Sequence, residues 1–398
     1  MRIALLAPFG IRPKGSLQAR MLPLAKELQQ RGHELEIIAP PYTNPEDAGL
    51  VELVEEVTLR NVRLGPTAGA LAAPFIALRM LQAAQAFKPD MIHLFKPKGY
   101  GGLAVMLLAG IRLAGIRTPL LVIDSDDREG SGGMNDLHPY SWLEKRLFSL
   151  QEQWLTRWAD GVTVASRALE SLAWGMGARS ATTLYLPNGP VLRPIGSREQ
   201  GRLRFGFQAE QPVLLLYTRF FEFEQQRLYA VLEQLCKRMP ELRLLVVGKG
   251  RHGEEKALEQ VAAERGFGHQ LTSVGWVRPE QLPDCLAAAD AALYLFDDTL
   301  INRTKCPAKL AELAACGIPI AAERVGQIAE YLQHDQSGLL VESGDVDGLV
   351  QAALHLLTDR ALANRIGQAA RQRMATDFCW EKRAEELDQF YRGLGAPC

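Results

Sequence analysis

Between Asp124 and His138 the chain reads DSDDREGSGGMNDLH, with five carboxylates and three glycines in the stretch. Core packing does not account for that composition. Asp126 or Asp127 can take a proton from an acceptor hydroxyl, or either can hold sugar hydroxyls by strong hydrogen bonds. His138 closes the same loop. Carboxylates also suit a divalent cation, but the spacing is not that of an EF-hand and no metal is assigned.

A second group lies in NRTKCPAKLAELAACGIPIAAERVGQIAEYL, residues 302–332. Pro307 suits a first helical turn, and Gly317 with Pro319 suits a stop, so a helix is expected over Pro307–Cys316. At 100° per residue Leu310, Leu313 and Ala314 share one side. Lys309 and Glu312 share the other, with Lys305 just ahead. An i,i+3 surface pair, worth about 0.2–0.5 kcal/mol, is one reading, and periodicity by itself favours it. The other is that the lysines hold phosphate while Glu312 accepts from a ribose diol.

Several further loops carry glycine with charge. The first runs from Gly10 to Gly15 and Ser16, with Arg12 and Lys14, and Gly15 precedes a helix whose free N–H groups suit an anion. Lys96-Pro-Lys98-Gly-Tyr-Gly101-Gly102 suits close backbone approach to an acceptor, while nearby His93 reads as structural. Arg219 lies just past an apolar run and can grip a diphosphate with its planar fork. The turn at Lys249-Gly250 can close on a ligand. Gly275-Trp276-Val277 offers backbone to a flat base.

These loops need strands to place them. RIALLAP, HELEIIAP, DMIHLF, PLLVIDS and GVTVAS read as buried strands with helical segments between, such as LQARMLPLAKELQQRG stopping at Gly32. The pattern restarts after LPNGPVLRPIGS (186–197) with PVLLLYTRF and ELRLLVVGKG, then HQLTSVGWV, AALYLF, IPIAA and GLLV. Alternation of this kind builds an α/β parallel sheet, twice over. Open parallel sheets collect ligands at the carboxyl ends of their strands, where the crossover direction reverses. The fold expected is therefore two Rossmann-like doubly wound parallel-sheet domains facing a central cleft. Their bounds are 1–195 and 205–375, and the helix in 376–398 packs back on the first.

Composition agrees with that scale. A chain of 398 residues exceeds one ordinary core, and 47% hydrophobic with 23% charged residues is typical of a globular protein. A formal net charge of −1 gives no general attraction to nucleic acid. All six cysteines follow residue 235 with no C-x-x-C pair, which argues against a structural zinc site and a disulfide framework. A reducing cytoplasm is the expected compartment. The N-terminus does not read as a secretory signal. Residues 68–87 form the most apolar stretch, but Pro74 and Arg79 interrupt it, so a buried amphipathic helix is expected there. The segment WLEKRLFSLQEQWLTRW (142–158) mixes tryptophans with cations. It suits peripheral contact with a membrane bearing a lipid-linked acceptor, although inward packing of its aromatics is the simpler expectation.

Taken in order, the segments resemble the GT-B glycosyltransferases, and within them the retaining glycosyltransferase family 4. The resemblance rests on MRIALLAPFG…LAKELQQRGHELEIIAP, ADGVTVASRALE with YLPNGP, and LLVVGKG. It continues in VGWVRPEQLPDCLAAADAALYLF and KLAELAACGIPIAA…VGQIAEYL…SGLLV. It implies a nucleotide sugar bound mainly by the second domain and an acceptor by the first. Glu312 matches the glutamate that binds the donor ribose, Val277 lies where the base stacks, and Arg219 matches the arginine that neutralises the leaving diphosphate.

Two departures stand out. The family's second acidic position is Thr304 here, with Pro307 in place of a glycine, and its lysine five after the arginine is Glu224. Lys249, Lys305 or Lys309 would have to replace that charge. Loss of one such stabiliser commonly costs roughly 3–4 kcal/mol of barrier.

The reading is thus transfer of a hexose from a nucleoside diphosphate sugar to a glycan, lipid-linked or small-molecule hydroxyl, with retention. Arg219, Lys305 and Lys309 meet the diphosphate. Glu312, Gly15, Lys249, Gly250 and Val277 hold the donor. Asp126, Asp127 and His138 serve the reacting sugar or acceptor, and Lys96, Lys98 and Gly101 bind the acceptor. No cofactor or metal is implied beyond the donor substrate. The same scaffold serves sugar-nucleotide epimerases, phosphorylases and non-catalytic nucleotide-sugar-binding proteins. A dehydrogenase is disfavoured, because neither half pairs G-x-G-x-x-G with a later acidic residue.

Overall fold

The computed structural model describes residues 1–12, 15, 17–65, 72–191 and 196–395. Lys14, Ser16, the start of the apolar stretch at 68–71 and part of the linker at 192–195 lie outside them. The chain divides into two compact units. The first is Met1–Gly189 with Thr304–Cys306 and Trp380–Cys398, and the second is Pro190–Arg303 with Pro307–Cys379.

In the first unit the strands are β1 (Arg2–Leu6), β2 (Glu34–Ala39), β3 (Val51–Val54), β4 (Val57–Asn61), β5 (Met91–Phe95), β6 (Leu120–Ser125), β7 (Gly161–Val164) and β8 (Thr183–Tyr185). Among the described residues they form one sheet in the order β3-β4-β2-β1-β5-β6-β7-β8. All neighbours are parallel except the edge pair β3 and β4. The apolar runs of β1 and of β5, the latter interrupted by buried His93, follow from burial on both faces. One face packs on the helix Leu22–Gln30 and on the C-terminal helix Trp380–Gly393, through Trp380, Leu387 and Tyr391. The other packs on the helices Ala73–Ala86, Gly99–Leu113 and Trp142–Trp158.

Chain direction reverses between β1 and β5, which places the turns after β1, β5 and β6 at a topological switch point. Gly99, Gly101 and Gly102 belong to the helix that follows β5 and not to an extended loop. A Cβ on Gly101 would sit 2.7 Å from Leu94, so this glycine permits close helix-to-strand packing. The helix 142–158 departs from the inward expectation, since Trp142 is 76% exposed. Its other two tryptophans stack on each other with ring centroids 5.1 Å apart.

In the second unit the strands are β9 (Val213–Tyr217), β10 (Arg243–Val247), β11 (Leu271–Gly275), β12 (Ala291–Tyr294), β13 (Ile320–Glu323) and β14 (Leu339–Val341). Their order is β11-β10-β9-β12-β13-β14, all parallel. Here the reversal lies between β9 and β12, so the turn after β9 is the switch point. The turn after β10 crosses close beside it. A Cβ on Gly248, whose φ is +132°, would fall 1.8 Å from the carbonyl oxygen of Thr218. Only glycine lets the two backbones meet there.

Candidate functional site: two strand-end clusters

At the switch point of the first unit, Lys96 directly follows β5 with its backbone in the left-handed region (φ +58°). Such a conformation is costly for a side-chain-bearing residue and is held only by strong surrounding contacts. The contacts here are three carboxylates. Lys96 Nζ lies 2.7 Å from Asp126, 2.8 Å from Asp127 and 3.0 Å from Glu129. Lys98 pairs with the other oxygen of Glu129 and donates to Asn135 Oδ1 at 2.9 Å. The carboxylates of Asp126, Asp127 and Glu129 are close enough together to share one cation, and the Lys96 ammonium sits among them.

Burial works against the charge on Lys96, but its three anions more than offset it and hold the ammonium charged. Burial pushes the Asp126 carboxyl up to about 6. Lys96 pulls the other way, while Asp127 and Asp124 add like-charge repulsion.

Glu152, on the helix Trp142–Trp158, fixes the loop by accepting from the backbone N–H of Glu129 (2.9 Å) and of Gly130 (2.8 Å). Asp124, two residues before Asp126, has another assignment. It takes both prongs of the Arg20 guanidinium at 2.9 and 2.5 Å, accepts from Thr163 Oγ1 at 2.6 Å, and is fully buried. Burial alone would raise its carboxyl, yet Arg20 and Thr163 hold it below the usual range. His93 lies in the same core, 2.6 Å from the Tyr391 hydroxyl, and burial lowers its ring to about 4. It is neutral and structural.

The acceptor-side residues therefore fall into place unevenly. Asp126, Asp127, Lys96 and Lys98 come together, but as one ion cluster and not as lysines open to an acceptor. His138 ends the same loop, its ring 5.4 Å from that of Tyr140. Gly101 is packed inside a helix. Gly15 is exposed, with its carbonyl accepting from Ala19 N–H at 2.7 Å. Lys305 belongs with the first unit, whereas Lys309 and Glu312 belong with the second.

In the second unit the helix Ala308–Ala315 runs with Glu312 only 7% exposed, so a pair on a wet face is the wrong picture. The carboxylate accepts from the Tyr217 hydroxyl at 3.2 Å, and Tyr217 is the last residue of β9. Lys309, one turn earlier, places Nζ 3.4 Å from the centroid of the same ring, a close cation–π contact. Across the switch point Arg219 pairs with Glu222 at 2.8 Å and lies over the Phe221 ring at 4.6 Å. The intervening Phe220 is buried with φ +68°, a strained turn that holds Arg219 outward. Burial, and then the charge of Arg219, lower the Lys309 ammonium to about 7, with Glu312 and Glu222 opposing.

Lys249 is exposed, and Gly250 N–H donates to Glu255 at 3.0 Å. Val277 is half-buried just past β11, beside Trp276, which is 70% exposed. Arg251 from the neighbouring turn stands 4.3 Å from the Phe221 ring.

Sequence reasoning missed Tyr217, Arg20 and Glu129 as partners. Tyr217 is hidden as the last letter of an apolar strand. Arg20 looks like a surface arginine on an amphipathic helix; it lies in a π turn, Leu17–Met21, a departure common at functional sites.

Two parallel-sheet units, each with charged turns at its switch point, match the fold expected from the sequence. Known proteins carry the reading further. A family described as glycosyl transferase 4-like domain matches residues 15–189, and one described as glycosyl transferases group 1 matches residues 197–373. The chain belongs to the family-4-like GT-B glycosyltransferases, enzymes that transfer sugar from a nucleotide sugar.

It is 26% identical over 389 residues to the GDP-mannose-dependent alpha-(1-6)-phosphatidylinositol monomannoside mannosyltransferase of Mycolicibacterium smegmatis. That match covers 96% of this chain and 95% of the relative. It is 24% identical over 383 residues to N-acetyl-alpha-D-glucosaminyl L-malate synthase of Bacillus anthracis, covering 92% and 91%. The fold is shared with sucrose-phosphate synthase of Thermosynechococcus elongatus (TM-score 0.73, 22% identity, 99% of each chain). It is also shared with Anabaena HepE, solved with UDP-glucose (TM-score 0.71, 19% identity, 100% of each chain).

Proposed function

We propose that the enzyme moves a hexose from a nucleoside diphosphate sugar, held by the second unit, to a hydroxyl of a glycan or lipid-linked acceptor served by the first. The observation that carries the donor half is the buried Glu312 carboxylate beside Tyr217 at the switch point, with Arg219 in the adjoining turn. A carboxylate has the two acceptor oxygens that a ribose diol requires. An arginine fork suits a diphosphate. Val277 and the exposed Trp276 border the base, with the Lys249-Gly250 turn and Gly15 as further donor contacts.

On the acceptor side Asp126 serves as the base, because a carboxyl raised toward neutrality holds a proton more strongly. The bond from the sugar's anomeric carbon to the phosphate oxygen breaks, and one to the acceptor oxygen forms. The acceptor's proton passes to Asp126, and the diphosphate leaves as an anion neutralised by Arg219. Lys96 holds Asp126 in place, Asp127 and Lys98 belong to the same ion cluster, and His138 borders the acceptor. Retention rests on membership of the family. A lipid-linked acceptor accords with the phosphatidylinositol-linked acceptor in the name of the mycobacterial relative and with the exposed Trp142 and Leu143. No described helix is long and apolar enough to cross a membrane.

A thermal-shift panel of UDP, GDP, ADP and TDP with their common sugars tests the reading. One base should raise the melting midpoint by mass action. Release of that diphosphate only when an acceptor is added would establish transfer. No shift with any of them would overturn the donor site.

A further inference from the structure

Glu323 is the last residue of β13 and is fully buried. β13 runs between β12 and β14, so Glu323 sits beside the turns that leave both neighbours, at the carboxyl end of the sheet. One of its oxygens accepts from Phe296 N–H at 2.7 Å and from the Arg227 guanidinium at 2.9 Å. The other accepts from Gly344 N–H at 2.8 Å. The Ser343 hydroxyl donates to the Phe296 carbonyl at 2.9 Å and ties the same two turns together. Burial raises the Glu323 carboxyl, and the two N–H donors with Arg227 oppose that rise without cancelling it.

Arg227 is as oddly placed. It lies in the first turn of the helix Gln225–Arg238, where the helix dipole disfavours a cation. Two carboxylates hold it there, Glu323 and, at 2.6 Å, Asp297. Asp297 in turn grips the turn after β9. Its N–H donates to the Glu222 carbonyl at 2.9 Å, and its carboxylate accepts from Glu224 N–H at 3.3 Å. Buried Asn302 donates to the carbonyls of Glu222 at 2.6 Å and of Asp297 at 2.9 Å. Glu222, whose carbonyl is held twice, is the residue whose carboxylate pairs with Arg219.

The turns after β9, β12 and β14 are thus joined through one buried carboxylate. Stability does not call for charge at such a place, since apolar residues of similar volume commonly serve as well or better. What the ionic groups supply is a fixed set of directions.

We propose that Glu323, through Arg227 and Asp297, is a positioning residue of the donor site, fixing the turn after β9 so that Arg219 meets a nucleoside diphosphate in one place. This rests on the reading of the second unit as the donor site. Removing the network then weakens binding by misplacing Arg219.

The test is calorimetric titration of the full chain with UDP, GDP, ADP and TDP. It is repeated for Glu323→Gln, Asp297→Asn and Arg219→Ala, and for each of the first two combined with the third. Glu323→Gln and Asp297→Asn should each weaken the nucleotide that binds by roughly threefold to thirtyfold. Neither should weaken it further once Arg219 is alanine, because the effect passes through that side chain. A group that only supports the fold would cost the same factor in both backgrounds. Glu323→Gln turns an amide N–H toward other donors and can cost folding. Asp297, whose side chain is 31% exposed, decides the matter if that variant does not fold.

Unchanged affinity in the folded variants, or an equal loss with and without Arg219, would overturn the positioning role and leave the donor site standing. Failure of the unaltered protein to bind any of the four diphosphates, or full affinity in Arg219→Ala, would overturn the donor-site reading and this inference with it.

Discussion

The two strand-end clusters balance charge in opposite ways. In the first unit Lys96 and Lys98 are spent on Asp126, Asp127 and Glu129, so the cations serve the protein's own carboxylates. In the second, Glu312 accepts from a neutral tyrosine hydroxyl, Lys309 rests on an aromatic face, and Arg219 pairs with Glu222 beside the Phe221 ring. The contrast teaches what each cluster is suited to. A self-neutralised cluster fixes geometry and tunes one carboxyl. A cluster that sets its ionic groups against aromatic rings and a hydroxyl suits the donor site proposed for it.

The sharpest break in that comparison lies beneath the first cluster. Arg20→Ala should cost about 3–5 kcal/mol of folding stability, because it leaves Asp124 buried and unpaired. Chemical denaturation measures this, and an unchanged midpoint would show that Arg20 is not the scaffold of the site.

Lys96→Met comes next. It strips the shared ammonium from three carboxylates. The variant's melting temperature should therefore fall steeply as pH rises from about 5 to 8, a window in which freed carboxyls ionise. A flat profile would mean the carboxylates do not depend on Lys96.

Glu312→Ala should weaken the bound nucleotide sugar by about 1.5–3 kcal/mol, the usual worth of a hydrogen bond to a charged group, while the fold persists. Equal affinity in a titration would remove Glu312 from the donor site.

The smallest change in stability is expected for Asp126→Asn. The folded carboxyl is raised from 3.8 to about 6, so its contribution is present at low pH and is lost as pH rises through that window. The amide should erase that loss, so the melting temperature of the variant should fall less over that window than in the unaltered protein. Turnover should nonetheless fall, and the acid limb of its pH profile near ~6 should disappear. Full activity with an unaltered profile would demote Asp126 to structure.

Much of this was legible in the order of residues. The apolar runs of β1, β9 and β10 needed no partner to be recognised as doubly covered strands, and Gly32 and Gly317 marked helix ends. The edge hairpin β3–β4 and the short β8 were not foreseen, because VELV, VTLRN and TLY mix polar with apolar residues and lack the apolar run of a doubly covered strand. Helical period put Glu312 and Lys309 on one stripe, but it could not say whether that stripe faced water. That depended on Tyr217, about a hundred positions away in sequence.

By itself the sequence determined the two doubly wound sheets and which turns carry charge, since alternation and breakers act through neighbours along the chain. Only the tertiary structure decided what each charge does. Asp124 and Asp126 are two residues apart, yet one is locked to Arg20 in the core and the other is pushed up to about 6 by burial, against the pull of Lys96. Ionisation depends on burial and on charges a few ångströms away, and those distances are set by the fold.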